Sequence, residues 1–334
     1  MALEIVTEII SILFIATLID IILGEPPNRI HPVVLIGRII NFFTKMIKYA
    51  SRNRKEKEKE NFEKAMGSIL ALGLTAMVTL IVYYISIQSL FLMGTIFFVI
   101  VSAALLKITF SIRAMDYHIR EILIELDQND LVKARKNLSK IVSRDTQNLT
   151  ESSILSACIE CIAESFVDGI LSPLFYYGLL SIPGSMMYRT INTLDSMIAY
   201  RDDYYNKVGW MSAKLDTIIN AIPARLSSVF LITSMMALGQ DWKNAIKIFK
   251  RDHQNTESFN AGVPMSIMAG GLNIQLEKIE YYKLGDLKEQ LTIQKCKTSL
   301  KITKLATLIF MFSFLIPVIM ILNYFDWWTI LFGI

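Results

Sequence analysis

The chain has 334 residues, of which 53% are hydrophobic, and a mean hydropathy of +0.44. That composition argues against a pair of soluble domains and for a multi-pass membrane protein. Its 34 basic and 30 acidic residues leave a net charge of +4, too balanced for a nucleic-acid binder. The basic residues instead cluster beside apolar runs, where they set topology.

Residues 3–23 form the first expected span, with Glu4 and Glu8 near one surface and Asp20 near the other. The run ends in Gly24-Glu25-Pro26-Pro27 and not at a small-residue cleavage site, so it does not read as a signal peptide. The segment GEPPNRIHPVVLIGR (24–38) follows, its prolines forcing an extended or turn conformation. It reads equally as a surface connector or as a substrate loop in which Arg29 and His31 meet an anion. The charge run over 45–64 reads as a solvated helical face or linker, and its basic excess places it in the cytoplasm. Two spans are expected at 66–88 and 90–110, joined as a hairpin by Ile87-Gln88-Ser89. Over 111–150 the spacing predicts a helical hairpin bearing His118, with a turn and N-cap at Asp127–Asp130 and another turn at Ser143–Thr146.

The region from Ser152 to Arg225 is apolar yet dense in polar groups. Glu160, Glu164 and Asp168 recur every four residues, so they share one helical face, and their mutual repulsion calls for cations. Interior ion pairs and a metal–nucleotide site satisfy that demand equally. Cys158 and Cys161 lie in the same apolar run with no second pair and no neighbouring His, and read as small core residues, not as a redox or zinc pair. Gly169 and Pro173 are expected to break or kink the helix. Arg189, Asn192, Asp195, Lys214 and Arg225 follow within an amphipathic frame. The apolar runs 155–181 and 218–239 either both cross the bilayer or both only enter it; their breaks and ionisable groups favour the second. Gly270-Gly271 marks a turn or a close backbone approach. A last span is expected at 305–325, with Asp326-Trp327-Trp328 as an aromatic interface anchor. The chain thus reads as one all-α, multi-pass membrane domain over 1–334, with cytoplasmic-face amphipathic helices and broken or re-entrant helices.

The polar groups recur in several segments separated by spans, as a composite site at the cytoplasmic face of the cell membrane would require. Carboxylates, arginines, histidines and Lys214 suit a phosphorylated anion with Mg²⁺. No HExxH, GxSxG or P-loop pattern is present. In order, the series GEPPNRIHPVVLIGR, ARKNLSKIVSRDT, SACIECIAESFVDGILSPLFYY, PGSMMYRTINTLDSMIAY, SAKLDTIINAIPAR and NAGVPMSIMAGGL resembles the membrane-bound adenosylcobinamide-phosphate synthases of cobalamin biosynthesis (the CobD/CbiB type). The likeness covers nearly the whole chain, and the combination of motifs is specific where any one alone is weak. It departs at Arg201-Asp202-Asp203-Tyr204, where the family commonly has Asn-Glu-Arg-Tyr, and at Gln275-Leu276-Glu277-Lys278, where Gly-Gly-Pro is usual.

The resemblance implies an ATP- and Mg²⁺-dependent ligation of adenosylcobyric acid to (R)-1-amino-2-propanol or its phosphate through an acyl phosphate. ATP and Mg²⁺ enter as substrates, and no tightly bound cofactor is expected. At the matching positions, Glu160, Glu164, Asp168 and Asp195 are metal candidates. Asp195, Asn192, Glu164 and His118 are catalytic candidates. Arg144, Arg189, Lys214, Arg225, His31 and Arg29 are substrate-binding candidates. The expected partners are the corrinoid, the amino-alcohol phosphate, the lipid bilayer and other late-pathway membrane enzymes, with no nucleic acid. Two rivals remain: a non-catalytic membrane sensor of the same architecture, free to lose the charged motif residues, and a transporter, which should carry its polar groups at mid-span.

Overall fold

The computed structural model describes residues 2–27, 29 and 31–328, with side chains from residue 5 onward. Glu4, at the expected first surface, and Asn28 and Ile30, in the GEPPNRIHPV loop, lie outside these limits. The elements run α1 (Ala2–Leu23), α2 (Pro32–Ser51), α3 (Glu56–Lys107), α4 (Arg113–Asp127), α5 (Leu131–Leu138) and α6 (Glu151–Phe166). A π-helical turn (Val167–Leu171) leads into α7 (Ser172–Ile198), α8 (Trp210–Ile219), α9 (Ala221–Ala237), α10 (Trp242–Asp252) and α11 (Gly262–Gly271). A small antiparallel hairpin pairs β1 (Leu276–Lys278) with β2 (Tyr282–Leu284). The chain continues as α12 (Ile293–Phe310), a second π turn (Met311–Leu315) and α13 (Ile316–Tyr324).

The fold is all-α and of membrane type. Among the described residues three helical segments are long and apolar enough to cross a bilayer: Ile5–Leu23, Glu56–Lys107 and Ile293–Tyr324. The broken pair Trp210–Ile219 and Ala221–Ala237 would add a fourth. Phe91, Leu92 and Ile96 stand more than three-quarters exposed, and Leu18, Ile21, Ile22 and Leu23 more than half. Apolar side chains in such numbers are stable against hydrocarbon and costly against water.

Contacts divide the chain into two compact units. The first comprises Met1–Phe110, Pro173–Ile219 and Ile316–Ile334; the second comprises Ser111–Ser172 and Asn220–Leu315. In the first, Ile36, Ile40 and Ile47 of α2, Leu70, Ala71 and Leu74 of α3, Leu194 and Ile198 of α7, and Val208 form a common core. Gly67 on α3 is required there, because a Cβ would lie 2.0 Å from the Val208 carbonyl oxygen. The 45–64 charge run is more ordered than a linker. Glu63 is buried, accepting from Lys48 Nζ at 2.7 Å and Ser51 Oγ at 2.6 Å.

Two breaks fall where the sequence did not place them. The turn expected at Ile87-Gln88-Ser89 is helical, and α3 instead leaves helical geometry at Gly94, with φ +77°. Only glycine takes that conformation without cost. The arm after it, 95–107, is shorter than the ~20 residues a spanning helix needs, unlike the full span expected at 90–110. In α7 the helix breaks at Leu180 and Ser181, upstream of Pro183. Proline offers no N–H to the carbonyl four residues earlier and its ring crowds that group. That carbonyl, Leu179 O, accepts from Trp327 Nε1 at 2.8 Å instead. Trp328 is buried as well, so the expected interface anchor is built into the unit.

In the second unit α9, α10 and α11 pack together and α11 is buried along its whole length. The close approach read at Gly270-Gly271 is real, although the residues end a helix. Cβ atoms there would lie 2.7 Å from Asn244 O and 2.3 Å from Met235 Sδ. At Gly169, where a break or kink is expected, the helix passes through a π turn without interruption, Pro173 falls in the first turn of α7, and the Gly169 carbonyl accepts from Ser111 N at 2.9 Å. The N-cap expected at Asp130 accepts from Lys133 N, while the cap of α6 is Thr150, downstream of the predicted turn. Cys158 is buried and Cys161 partly so; both are free thiols.

Candidate functional site

In the second unit α6 carries the carboxylate row, and the three acids meet different surroundings. Glu160 is 2% exposed. It forms an ion pair with Arg144 from the 139–150 loop, accepts from Ser156 Oγ at 2.7 Å, and accepts from Tyr282 Oη at 3.0 Å. Ser156 is held in turn by Glu277 N, which donates to its hydroxyl at 2.9 Å. One buried carboxylate therefore ties a loop, a helix and the β-hairpin together. Burial, reinforced by the charge of Glu160, pushes the Tyr282 phenol well above its ordinary pKa, so it stays a proton donor. Glu164, one turn on, is exposed, and Asp168 on the π turn is half-buried. Among the described residues, no three His, Cys, Asp or Glu side chains gather closely enough to hold a metal ion.

The other predicted residues of this unit lie apart from that cluster's hydrogen bonds. Arg225 on α9 donates to the Ala221 carbonyl at 2.7 Å and to Asn260 Oδ1 at 3.1 Å. His118 on α4 sits 3.6 Å from Glu121 and edge-on to Tyr117.

In the first unit α7 places Arg189, Asn192 and Asp195 at successive intervals of three on one helix, so neighbours stack along its surface. Arg189 Nη1 donates to Asn192 Oδ1 at 3.2 Å. Its Nε is buried and finds no acceptor among the described residues. A buried guanidinium nitrogen without an acceptor is costly, and a carboxylate or phosphate oxygen would relieve it. Asp195 is half-buried. Beyond α7, Lys214 lies on α8 with its ammonium 4.3 Å from the Trp210 ring centre. Both line a cavity of about 440 Å³ with Arg201.

His31 has a definite structural task. Its Nδ1 accepts from Val33 N at 3.2 Å, capping α2 just before Pro32, and its Nε2 lies 3.0 Å from Glu25. The other oxygen of Glu25 lies 2.9 Å from Lys107 Nζ, which is 3.2 Å from the buried Asp20. A chain of ion pairs and hydrogen bonds, Asp20–Lys107–Glu25–His31, thus joins the ends of α1 and α3 to the start of α2. Arg29, in the same loop, is exposed. Lone opposite charges in two apolar runs, Asp20 and Lys107, signal such a pair in the sequence itself. Tyr282 carries no comparable signal, because its link to Glu160 crosses 122 positions.

These features define an all-α membrane protein whose ionisable residues concentrate in broken helices and at helix ends. The profile of the CobD/Cbib protein family matches residues 13–312, and the chain belongs to that family. A probable cobalamin biosynthesis protein CobD of Thermoplasma acidophilum is 39% identical over 311 residues, covering 93% of this chain and 97% of its own. The cobalamin biosynthesis protein CobD of Leptospira interrogans is 36% identical, covering 90% and 96%. A probable CobD of Methanothermobacter thermautotrophicus is 34% identical, covering 90% and 95%. No solved structure shows a significant match.

Proposed function

We infer that the protein acts in cobalamin biosynthesis as a ligase. It joins a carboxylate of adenosylcobyric acid to the amine of (R)-1-amino-2-propanol or its phosphate, with ATP and Mg²⁺. The observation that carries this reading is the family match along nearly the whole chain, together with the charged residues present in its motifs. A sensor of the same architecture would have no need of them.

The chemistry asks three things of the protein. The corrinoid carboxylate attacks the terminal phosphorus of ATP, releasing ADP and leaving an acyl phosphate. The amine then attacks the acyl carbon, phosphate departs, and the ammonium proton must be taken up. Arg189 suits the grip on a carboxylate or phosphate oxygen, since its buried Nε lacks an acceptor. Asn192 fixes that guanidinium, and Asp195 on the same helix is the base candidate. Lys214 and Arg225 are further anion binders. Mg²⁺ in nucleotide sites needs only one or two protein carboxylates, the phosphates supplying the rest. Glu164, Asp168 and Asp195 are at least partly exposed and meet that requirement; Glu160 is committed to Arg144. His31 and His118 stay as corrinoid-contact candidates. We place the active groups on the cytoplasmic side, where the 45–64 basic excess puts that loop.

The test is incubation of the purified protein with adenosylcobyric acid, ATP, Mg²⁺ and each amino alcohol, read by mass. A product heavier by one amino alcohol less water is expected. Absence of any condensed product with every amine overturns the reading.

A further inference from the structure

The 199–209 loop and α8 line a half-open cavity of about 440 Å³ in the first unit. The loop is a built structure. Asp202 Oδ1 accepts from Tyr205 N at 2.7 Å, and Gly209 N donates to the Tyr205 carbonyl at 2.8 Å. Gly209 presses so closely on the end of α7 that a Cβ would lie 1.7 Å from the Ile198 carbonyl oxygen. Gly209, one of the lining residues, is therefore fixed by backbone-to-backbone packing.

The lining has a definite chemistry. It presents two cations, Arg201 and Lys214, two aromatic side chains, Tyr200 and Trp210, and the amide of Asn206, with no carboxylate. Tyr200 is 43% exposed and Trp210 38%. An ammonium resting on an indole is a common way to park a lysine. It does not account for a second aromatic group and a half-open volume beside it. Cations beside exposed ring faces match a ligand that is polyanionic at one end and planar at the other. The volume falls within the ordinary range for sites that hold drug-sized ligands and is large for a phosphorylated three-carbon amine.

We propose that this cavity binds a nucleoside triphosphate, its base against Trp210 or Tyr200 and its phosphates on Arg201 and Lys214. The proposal rests on the ligase reading for its choice of nucleotide, and it assigns that reaction's phosphoryl donor to a named place. It also gives Arg201, at a departure from the usual family sequence, a direct task.

The test uses the full-length protein in detergent. Binding of radiolabelled ATP is measured by equilibrium dialysis, with adenosine, inorganic triphosphate and aminopropanol phosphate as competitors. Inorganic triphosphate should compete measurably, and adenosine and aminopropanol phosphate only weakly. Arg201→Gln and Lys214→Gln should each weaken ATP binding about tenfold or more, the ordinary cost of losing a charge-assisted contact to phosphate. Trp210→Phe, which keeps a ring face, should bind within about threefold of wild type. Photolabelling with 8-azido-ATP, followed by peptide mapping, should mark residues within 199–218. It also decides the case if a variant fails to fold. Unchanged ATP binding in both Gln variants, or labelling confined to other segments, overturns the proposal. The two readings fail separately. Wild-type protein that binds ATP here but forms no amide keeps the cavity and loses the ligase. Amide formation with an unmoved KM for ATP in both variants does the reverse.

Discussion

Replacing Arg144 by Met tests the buried cluster on α6, because it removes one member of an ion pair whose partner cannot reach water. The Glu160 side chain is 3% exposed and that of Arg144 18%. Loss of the cation strands a carboxylate in a poorly polarisable interior. Breaking a buried pair in this way costs about 3–5 kcal/mol. Ser156 and Tyr282 still donate to Glu160, so the lower end, about 3 kcal/mol, applies. In a unit of this size that lowers the unfolding midpoint by about 6–12 °C. The reciprocal change, Glu160→Gln, is milder. The amide oxygen still accepts from one of the two hydroxyls and the amide N–H can donate to the other, and the released guanidinium has a route to solvent. A loss of about 1 kcal/mol is expected there. The double variant should sit near Glu160→Gln alone, since no stranded charge remains. Thermal unfolding in detergent, followed by far-UV circular dichroism, gives all three. If Glu160→Gln is the more damaging single change, or Arg144→Met leaves the midpoint where it was, the cluster is not a buried ion pair of the kind described.

Further expectations concern distinct parts of the molecule. Gly67→Ala should cost about 3 kcal/mol or more, because its Cβ would meet the Val208 backbone, whereas Gly73→Ala on the same helix meets nothing within 4 Å and should stabilise by about 0.5–1 kcal/mol; unfolding midpoints compare them. Burial opposes the charge of Asp252, yet the Arg251 fork and the Gly285 N–H outweigh it and hold its carboxyl below the usual range. Its stabilisation is therefore full above the unfolded pKa of about 4 and lost as pH falls through the depressed folded value. Asp252→Asn should be less stable than wild type at neutral pH by about 1.5–3 kcal/mol and show a flatter midpoint-versus-pH curve below about 4. Asp195→Asn should lower amide formation by about 10²-fold or more at unchanged fold, measured as kcat with saturating amine; undiminished turnover removes it as the base.

The four-residue spacing of Glu160, Glu164 and Asp168 was legible because helical periodicity is local. What neutralises Glu160 was not, since Arg144 and Tyr282 arrive from a loop and a hairpin that only the tertiary fold brings near. The cap at Asp130 follows from single-residue backbone chemistry and was readable. The break at Gly94 was displaced from the predicted hairpin because polar residues drew attention to 87–89, while a positive φ needs glycine and not polarity. The loop of His31 reads equally as a connector or a substrate loop by composition; the His-Pro order, an acceptor ahead of a residue with no N–H to offer, already describes a helix cap. Arg201 was passed over as a mere departure from the family sequence, because a cavity wall is a property of two segments.

The indole of Trp327 on the Leu179 carbonyl has a consequence in time. The acceptor is made in mid-chain, and its donor follows 148 positions later. During synthesis the Leu179 carbonyl beside the break at Ser181 is without this donor until the segment bearing Trp327 is made. The first unit, whose three segments are scattered from one end of the chain to the other, can close only then. The second unit, complete by Leu315, can be finished earlier. Closure of the first unit therefore waits on the segment that follows Leu315.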